Sequence, residues 1–277
     1  MSGVLERTLG ILELLTQHGE GLELAAIADR LNIPRSGTHR LLADLVKCGY
    51  VRQTREHGDY LLTTKLVSMG LSYLSHSGIV DIAQPLLNQL AELSGELARL
   101  SVVDGERLTW VARAQGARQG LRYDPDMGSD ARLSCSSSGW AWLSTLTDDA
   151  AMAAVVRQGI GQPEEFGPQA PATLDAVMLH IRATRERGYS VTCDTYTLGL
   201  SALSAPVRLA GQPAMGVLTV AGPTVRFSEA RMHGLAVELI SVAGQLAAAS
   251  SSSPFFSKTY APAAPIPTAG RKPIYAP

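Results

Sequence analysis

Apolar residues recur every three or four positions over Val4–His18, at Leu5, Leu9 and Leu12 and at Ile11 and Leu15. That spacing predicts an amphipathic helix with one wide buried face, ended by Gly19-Glu20-Gly21. A second helix is predicted over about Leu24–Leu31, burying Leu24, Ile27, Ala28 and Leu31. A third, over about Pro34–Cys48, buries Leu41, Leu42, Leu45 and Val46 and stops at Gly49. At the joint, Asn32 suits a left-handed helix exit, and Pro34 suits a first helical turn, where its missing N–H costs nothing.

Tyr50–Gln53 and Tyr60–Thr63 then read as two short strands, joined by the polar loop Arg55–Asp59 into a hairpin wing. Lys65–His76 is helical again, with Leu66, Met69 and Tyr73 on one side, and Ser77-Gly78 reads as a hinge. Beyond it, a helix is predicted over about Ile79–Leu93, kinked at Pro85. Ala98–Val103 and Arg107–Ala112 read as strands paired around Asp104-Gly105, and Gly120–Tyr123 as a third strand. The run Leu133–Gly139, rich in serine, opens a helix containing Trp140, Ala141, Trp142 and Leu143. Helices follow at Asp148–Gln158 and Leu174–Arg187, strands at Ser201–Arg208 and Met215–Ala221, and a last helix at Ser228–Ala248 capped by Ser228. Such a mixture predicts an α+β fold with helices packed on an antiparallel sheet.

The expected organisation is a winged helix-turn-helix domain at 1–64, a helical linker at 65–77 and an α+β effector-binding and oligomerisation domain at 78–249. Residues 250–277 hold six prolines and no helical period, and read as a disordered tail.

The composition, 45% hydrophobic and 18% charged, is that of a globular protein, and the net charge of -1 gives no global attraction to nucleic acid. The local balance differs. From Arg30 to Arg55 the bases are Arg30, Arg35, Arg40, Lys47, Arg52 and Arg55, against Asp44 alone. The first 29 residues hold Arg7 against Glu6, Glu13, Glu20, Glu23 and Asp29. Positive charge is therefore concentrated on the third helix and the wing.

A groove-reading helix carries small or hydrogen-bonding residues at its N-terminal end while its other half stays in the core. Arg35, Ser36, Thr38, His39 and Arg40 fit that description. Arg52 and Arg55 on the wing, with His57, are placed to hold the DNA backbone or enter the minor groove. The competing reading is a small-molecule-binding or catalytic α+β protein whose helix-turn-helix serves protein contact.

The chain resembles the IclR family of transcriptional regulators from about Val4 to Leu246. The resemblance rests first on Arg7–Leu15, Ala25–Leu31, Pro34–Leu42, Gly49-Tyr50-Val51 and Tyr60–Thr63. It continues through Gly128, Ser134–Leu143, Ile181–Tyr189, Gly199, Ala205-Pro206-Val207 and Gly222-Pro223. It implies a winged helix-turn-helix joined to an α+β effector domain, working as a dimer or tetramer on operator DNA.

The resemblance also implies a small carboxylate effector at the start of the serine-led helix, facing the N–H groups of Ser137 and Ser138. Matching positions make the other walls Tyr123, Ala131, Leu133, Trp140, Thr192, Leu200, Ala202, Thr219 and Ala221. Alanine at Ala202 and Ala221, and Trp140 where the family usually has lysine, imply a roomier and less polar pocket than the smallest oxo-acids need. An aromatic acid is the expected effector. Arg122 and Arg132 offer further partners for a carboxylate, but read first as solvated surface residues.

Enzyme chemistry finds little support. There is no Gly-x-Ser-x-Gly, no phosphate loop and no His-Glu-x-x-His, and Ser136–Ser138 have no nominated base. His18, His39, His57, His76, His180 and His233 lack metal-ligand spacing, so neither a metal nor any other cofactor is expected. The separated Cys48, Cys135 and Cys193 fit a reducing cytoplasm. No signal peptide and no bilayer-spanning run is read. The expected partners are double-stranded operator DNA, a small organic acid, further copies of the chain and, for an activator, RNA polymerase; no membrane is expected.

Overall fold

A computed structural model gives the fold and describes residues 3–55, 58–77, 79–125 and 127–250. The chain divides into two units, Met1–His76 and Ser77–Pro277. The hinge glycine Gly78, the wing-tip His57 and residues 251–277 lie outside the described residues.

The first unit runs α1 (Val4–Thr16), α2 (Leu24–Arg30), α3 (Arg35–Lys47), β1 (Val51–Gln53), β2 (Tyr60–Leu62) and α4 (Lys65–Ser77). Ile11 and Leu15 of α1, Ile27 of α2 and Leu41, Leu42 and Leu45 of α3 share one core with Val51 and Tyr60. The buried face of α1 is narrower than its periodicity predicts, because Leu5 and Leu9 are exposed, and Val46 of α3 is exposed as well. Asn32 has φ 51°, the left-handed exit that lets α3 leave at an angle to α2. Pro34 stands just outside α3 in an extended conformation and not in its first turn. β1 and β2 pair antiparallel, with Val51 opposite Leu62 and Gln53 opposite Tyr60. Lys65 at the start of α4 donates to Cys48 O (2.7 Å) and lies over the Tyr50 ring, which fixes that helix start against the wing.

The second unit carries α5 (Ile79–Ser94), β3 (Leu97–Asp104), β4 (Arg107–Gln115), α6 (Ser137–Leu143), α7 (Asp148–Gln158), α8 (Leu174–Arg187), β5 (Ser190–Cys193), β6 (Leu200–Val207), β7 (Gly216–Pro223) and α9 (Glu229–Ser250). The sheet is antiparallel throughout, in the order β4-β3-β7-β6-β5. α5 and α9 pack on one face and on each other, while α6, backed by α7 and α8, covers the other. α9 is long and apolar enough to cross a membrane by length and composition, contrary to the reading of the sequence. Its buried stripe of Met232, Ala236, Leu239, Val242 and Leu246 belongs to the core of this unit.

Two strand expectations change. Gly120–Tyr123 is not a strand, because side chains take its carbonyls: Gln115 Nε2 donates to Tyr123 O and Arg226 Nη1 to Leu121 O. β5 was not legible, because its inward residues are the hydroxyl-bearing Ser190 and Thr192 in place of an apolar alternation. Ser250, expected to open the tail, is the last residue of α9.

Several glycines sit where a Cβ would clash, Gly139 and Gly222 among them. A Cβ on Gly139 would stand 2.7 Å from Leu133 Cα, so only glycine lets α6 pack under its own entry loop. A Cβ on Gly222 would stand 2.4 Å from Glu96 Oε2, a carboxylate buried at the start of β3. Arg226 grips that carboxylate with two bonds, Nε to Oε1 at 2.6 Å and Nη2 to Oε2 at 2.9 Å.

Candidate functional site

On α3, Arg35, Ser36, His39 and Arg40 are exposed over the first two turns, on one side of the helix. Arg52 on β1 and Arg55 after it are exposed too. Thr38 departs from its expected role: it is 0% exposed and its Oγ1 donates to Pro34 O at 3.2 Å. It faces the core, one residue out of phase with the exposed side, and cannot reach a base edge.

In the second unit a cavity lies between the sheet and the start of α6. Tyr123, Ser137, Ser138, Thr192, Leu200, Ala202, Thr219 and Ala221 line it, all named from the sequence. Ala131, Leu133 and Trp140 do not. Ala131 and Leu133 are held against α7 by Gln158, whose Nε2 donates to Ala131 O and whose Oε1 accepts from Leu133 N. Trp140 is turned away, its Nε1 donating to Ser134 O (3.0 Å) and its ring stacked 4.1 Å from His180 of α8. These three side chains belong to the α6–α8 core, not to the cavity.

Arg99, Trp110, Ser136 and Tyr196 also line the cavity and were not foreseen. Ser136 caps α6, accepting from Gly139 N at 3.0 Å. Arg99 projects from the middle of β3 and is 2% exposed, with its guanidinium 3.8 Å over the Trp110 ring. It bonds the Tyr123 hydroxyl. Burial lowers the Arg99 pKa to about 10, with Tyr123 and Tyr196 acting in the opposite sense, so it remains a cation at neutral pH. Burial raises the Tyr123 phenol to about 12, and raises Tyr196 as well. Both therefore stay neutral donors. The signal that marks Arg99 is a charge inside the mainly apolar run Leu97–Val103.

A row of side chains crosses the sheet here. Arg99 pairs with Thr219, Thr219 with Ser204 and Ser204 with Ser190, so all four share the face under α6. Ser190 Oγ donates to Ser137 O (2.6 Å), Ser204 Oγ donates to Ser137 Oγ (2.7 Å), and Ser204 Oγ is 2.8 Å from Thr219 Oγ1. The cavity itself is small, about 30 Å³. Small-molecule sites run to about 300 Å³ and above, roughly tenfold more than this cavity.

Residues 4–55 match the IclR helix-turn-helix domain, and residues 71–248 match the C-terminal domain of the bacterial transcriptional regulator IclR. The chain belongs to the IclR family. It is a DNA-binding transcriptional regulator, and its relatives are regulators, not enzymes. The HTH-type transcriptional regulator BhcR of Paracoccus denitrificans is 29% identical over 87% of this chain and 85% of its own. The acetate operon repressor of Salmonella typhimurium is 26% identical over 87% of this chain and 88% of its own. Among solved structures, an IclR homologue from Microbacterium hydrocarbonoxydans complexed with 4-hydroxybenzoate has the same fold, with TM-score 0.76 and 17% identity, over 91% of this chain and 100% of that one.

Proposed function

We propose that this IclR-family chain is an effector-responsive switch on a catabolic operon, and that its effector is a small carboxylic acid, aromatic acids foremost. The observation that carries the reading is the cavity lining. Trp110, Tyr123 and Tyr196 stand beside the small residues Ala202 and Ala221, which suits a flat apolar ring better than a two-carbon acid. The 4-hydroxybenzoate held by the homologue of the same fold supports it.

The operator-reading surface in this proposal is Arg35, Ser36, His39 and Arg40, with Arg52 and Arg55 on the backbone. The division of labour is a DNA-binding unit at 1–64, a linker at 65–77 and an effector unit at 78–249. Two or four copies act together in the cytoplasm. Val67, Met69, Leu71 and Tyr73, exposed along α4, support a contact between copies through that helix. An activator would also touch RNA polymerase.

Footprinting on the DNA upstream of the chain's own gene tests the proposal. The expected result is a pair of related half-sites, whole helical turns apart, whose protection changes when an aromatic acid is added. Protection that ignores every aromatic and aliphatic acid tried would overturn it.

A further inference from the structure

β4 carries a buried donor that the rest of the chain does not use. Trp110 is 6% exposed, and its Nε1 is buried with no hydrogen-bond partner among the described residues. Native interiors rarely keep an unmade N–H, because it forfeits its bond to water and gains none in return. The ring is held where it stands. The Trp110 backbone N–H donates to Ser129 O at 3.2 Å, its carbonyl accepts from Gly128 N at 3.0 Å, and the residue pairs with Ser101 of β3. The Arg99 guanidinium covers one face of the indole at 3.8 Å. Trp140, also buried, shows the contrast: its Nε1 donates to Ser134 O at 3.0 Å.

We propose that the Trp110 indole N–H is a specificity-determining donor for the effector, bonding a carboxylate oxygen of a planar aromatic acid. This deepens the effector reading above and rests on it. Trp110 lines the cavity between the sheet and the start of α6, so a ligand there brings the acceptor that the chain leaves out. No aspartate or glutamate is among the lining residues, so no carboxylate of the lining competes for the indole. The hydroxyls of the floor are engaged with one another: Ser137 accepts from Ser204, which lies 2.8 Å from Thr219. A charged acceptor repays a buried N–H best, since bonds to an ionised group are the stronger ones.

The ring of such an acid also finds a counterpart. Leu200, Ala202 and Ala221 pack together with Tyr123 and Tyr196 as an apolar part of the lining. The free protein bears the cost of the unmade bond, and an acid of the right shape removes it. A ring of the same size without an acceptor leaves the donor buried and unpaired, and is discriminated against for that reason.

The test uses the full-length protein with benzoate and with toluene, the same ring without an acceptor. The three tryptophans of the chain give three indole N–H signals by heteronuclear NMR. Benzoate should move the Trp110 signal downfield, as a new hydrogen bond does, and leave the signal of the already bonded Trp140 in place. Toluene should not move the Trp110 signal downfield. Trp110→Phe, Trp140→Phe and Trp142→Phe assign the signals, and any two suffice if the third variant fails to fold. By calorimetry, Trp110→Phe should bind benzoate about 10- to 100-fold more weakly and toluene within about threefold of wild type. Equal losses for both probes would show that the ring only packs, and would overturn the proposal. So would a Trp110 signal that bound benzoate leaves unmoved, or that toluene moves as far. In each of these cases benzoate still binds the wild type, and the effector reading stands. A wild type that binds neither benzoate nor any other aromatic acid overturns the aromatic reading and this inference together.

Discussion

Ser204 Oγ donates to Ser137 Oγ at 2.7 Å, tying the middle of β6 to the first residue of α6. Both side chains are buried, so neither has water as a substitute partner. Ser204→Ala strands Ser137 and Thr219 together, and should cost about 1–3 kcal/mol. The check is a melting temperature, expected to fall by several degrees with secondary structure unchanged. An unshifted melt would mean that the hydroxyl row does not hold α6 down.

Arg40 and Thr38 are two residues apart on α3 and should behave oppositely. Arg40→Ala should weaken operator binding by about 10- to 100-fold, as for a lost base contact, with effector affinity unchanged. Thr38→Val removes only a buried hydroxyl bonded to Pro34 O, so it should lower the melting temperature slightly and leave operator affinity alone. Gel shifts at two salt concentrations measure both. A purely phosphate-bound Arg40 would instead show a flatter salt dependence with equal loss on every sequence.

Glu96 and Gly222 make a closed pair. Glu96→Ala breaks the grip of Arg226 on a buried carboxylate and should cost about 2–3 kcal/mol, at the low end for a buried pair because Arg226 is a third exposed and rehydrates. Gly222→Ala pushes a methyl into the same carboxylate. In the double variant the clash has nothing to meet, so the loss should be less than the sum of the two singles. Denaturant unfolding of all three variants reads this directly, and strict additivity would refute the coupling.

His180 gives a dependence on pH. Burial against Trp140, with a smaller effect of Arg187, lowers its pKa below the usual histidine value. The unfolded chain therefore takes up a proton first, at about 6.5. Stability from this group is complete above that pH and is lost as the pH falls below it, until the folded pKa is passed. His180→Phe keeps a stacked ring and removes the titration. Comparing melts from about pH 7.5 to about pH 5, wild type should lose more than the variant. Part of the ring is exposed, so the difference should be small.

The helix-turn-helix was legible nearly to the residue because its signals are local: the 3.6-residue period of α3, the left-handed Asn32 and the stop at Gly49. α7 and α8 were legible for the same reason, with Thr147 and Thr173 as caps. β5 and Thr38 were not. In each, a hydroxyl residue faces inward and finds its partner on another element or in the preceding turn, which no alternation rule anticipates. The cavity divides the same way. Positions set by resemblance along β6 and β7 and at the start of α6 converge, whereas Trp140 turns to His180 across an α6–α8 contact that the sequence does not display. Arg99 and Trp110 lie on the two hairpin strands read from the sequence, but only the pairing of β3 with β7 brings them to the site.

Counting protons along the hydroxyl row gives the cavity floor a fixed polarity. Ser204 has one hydroxyl hydrogen, and it is committed to Ser137. The bond between Ser204 and Thr219 must then be donated by Thr219, whose only hydrogen is thereby also spent. Thr219 is left with lone pairs alone to offer the cavity. A ligand hydroxyl is welcome there and an ether oxygen is not. A hydroxy acid and its methyl ether, matched in shape and charge, should therefore be told apart by one proton that Thr219 cannot supply.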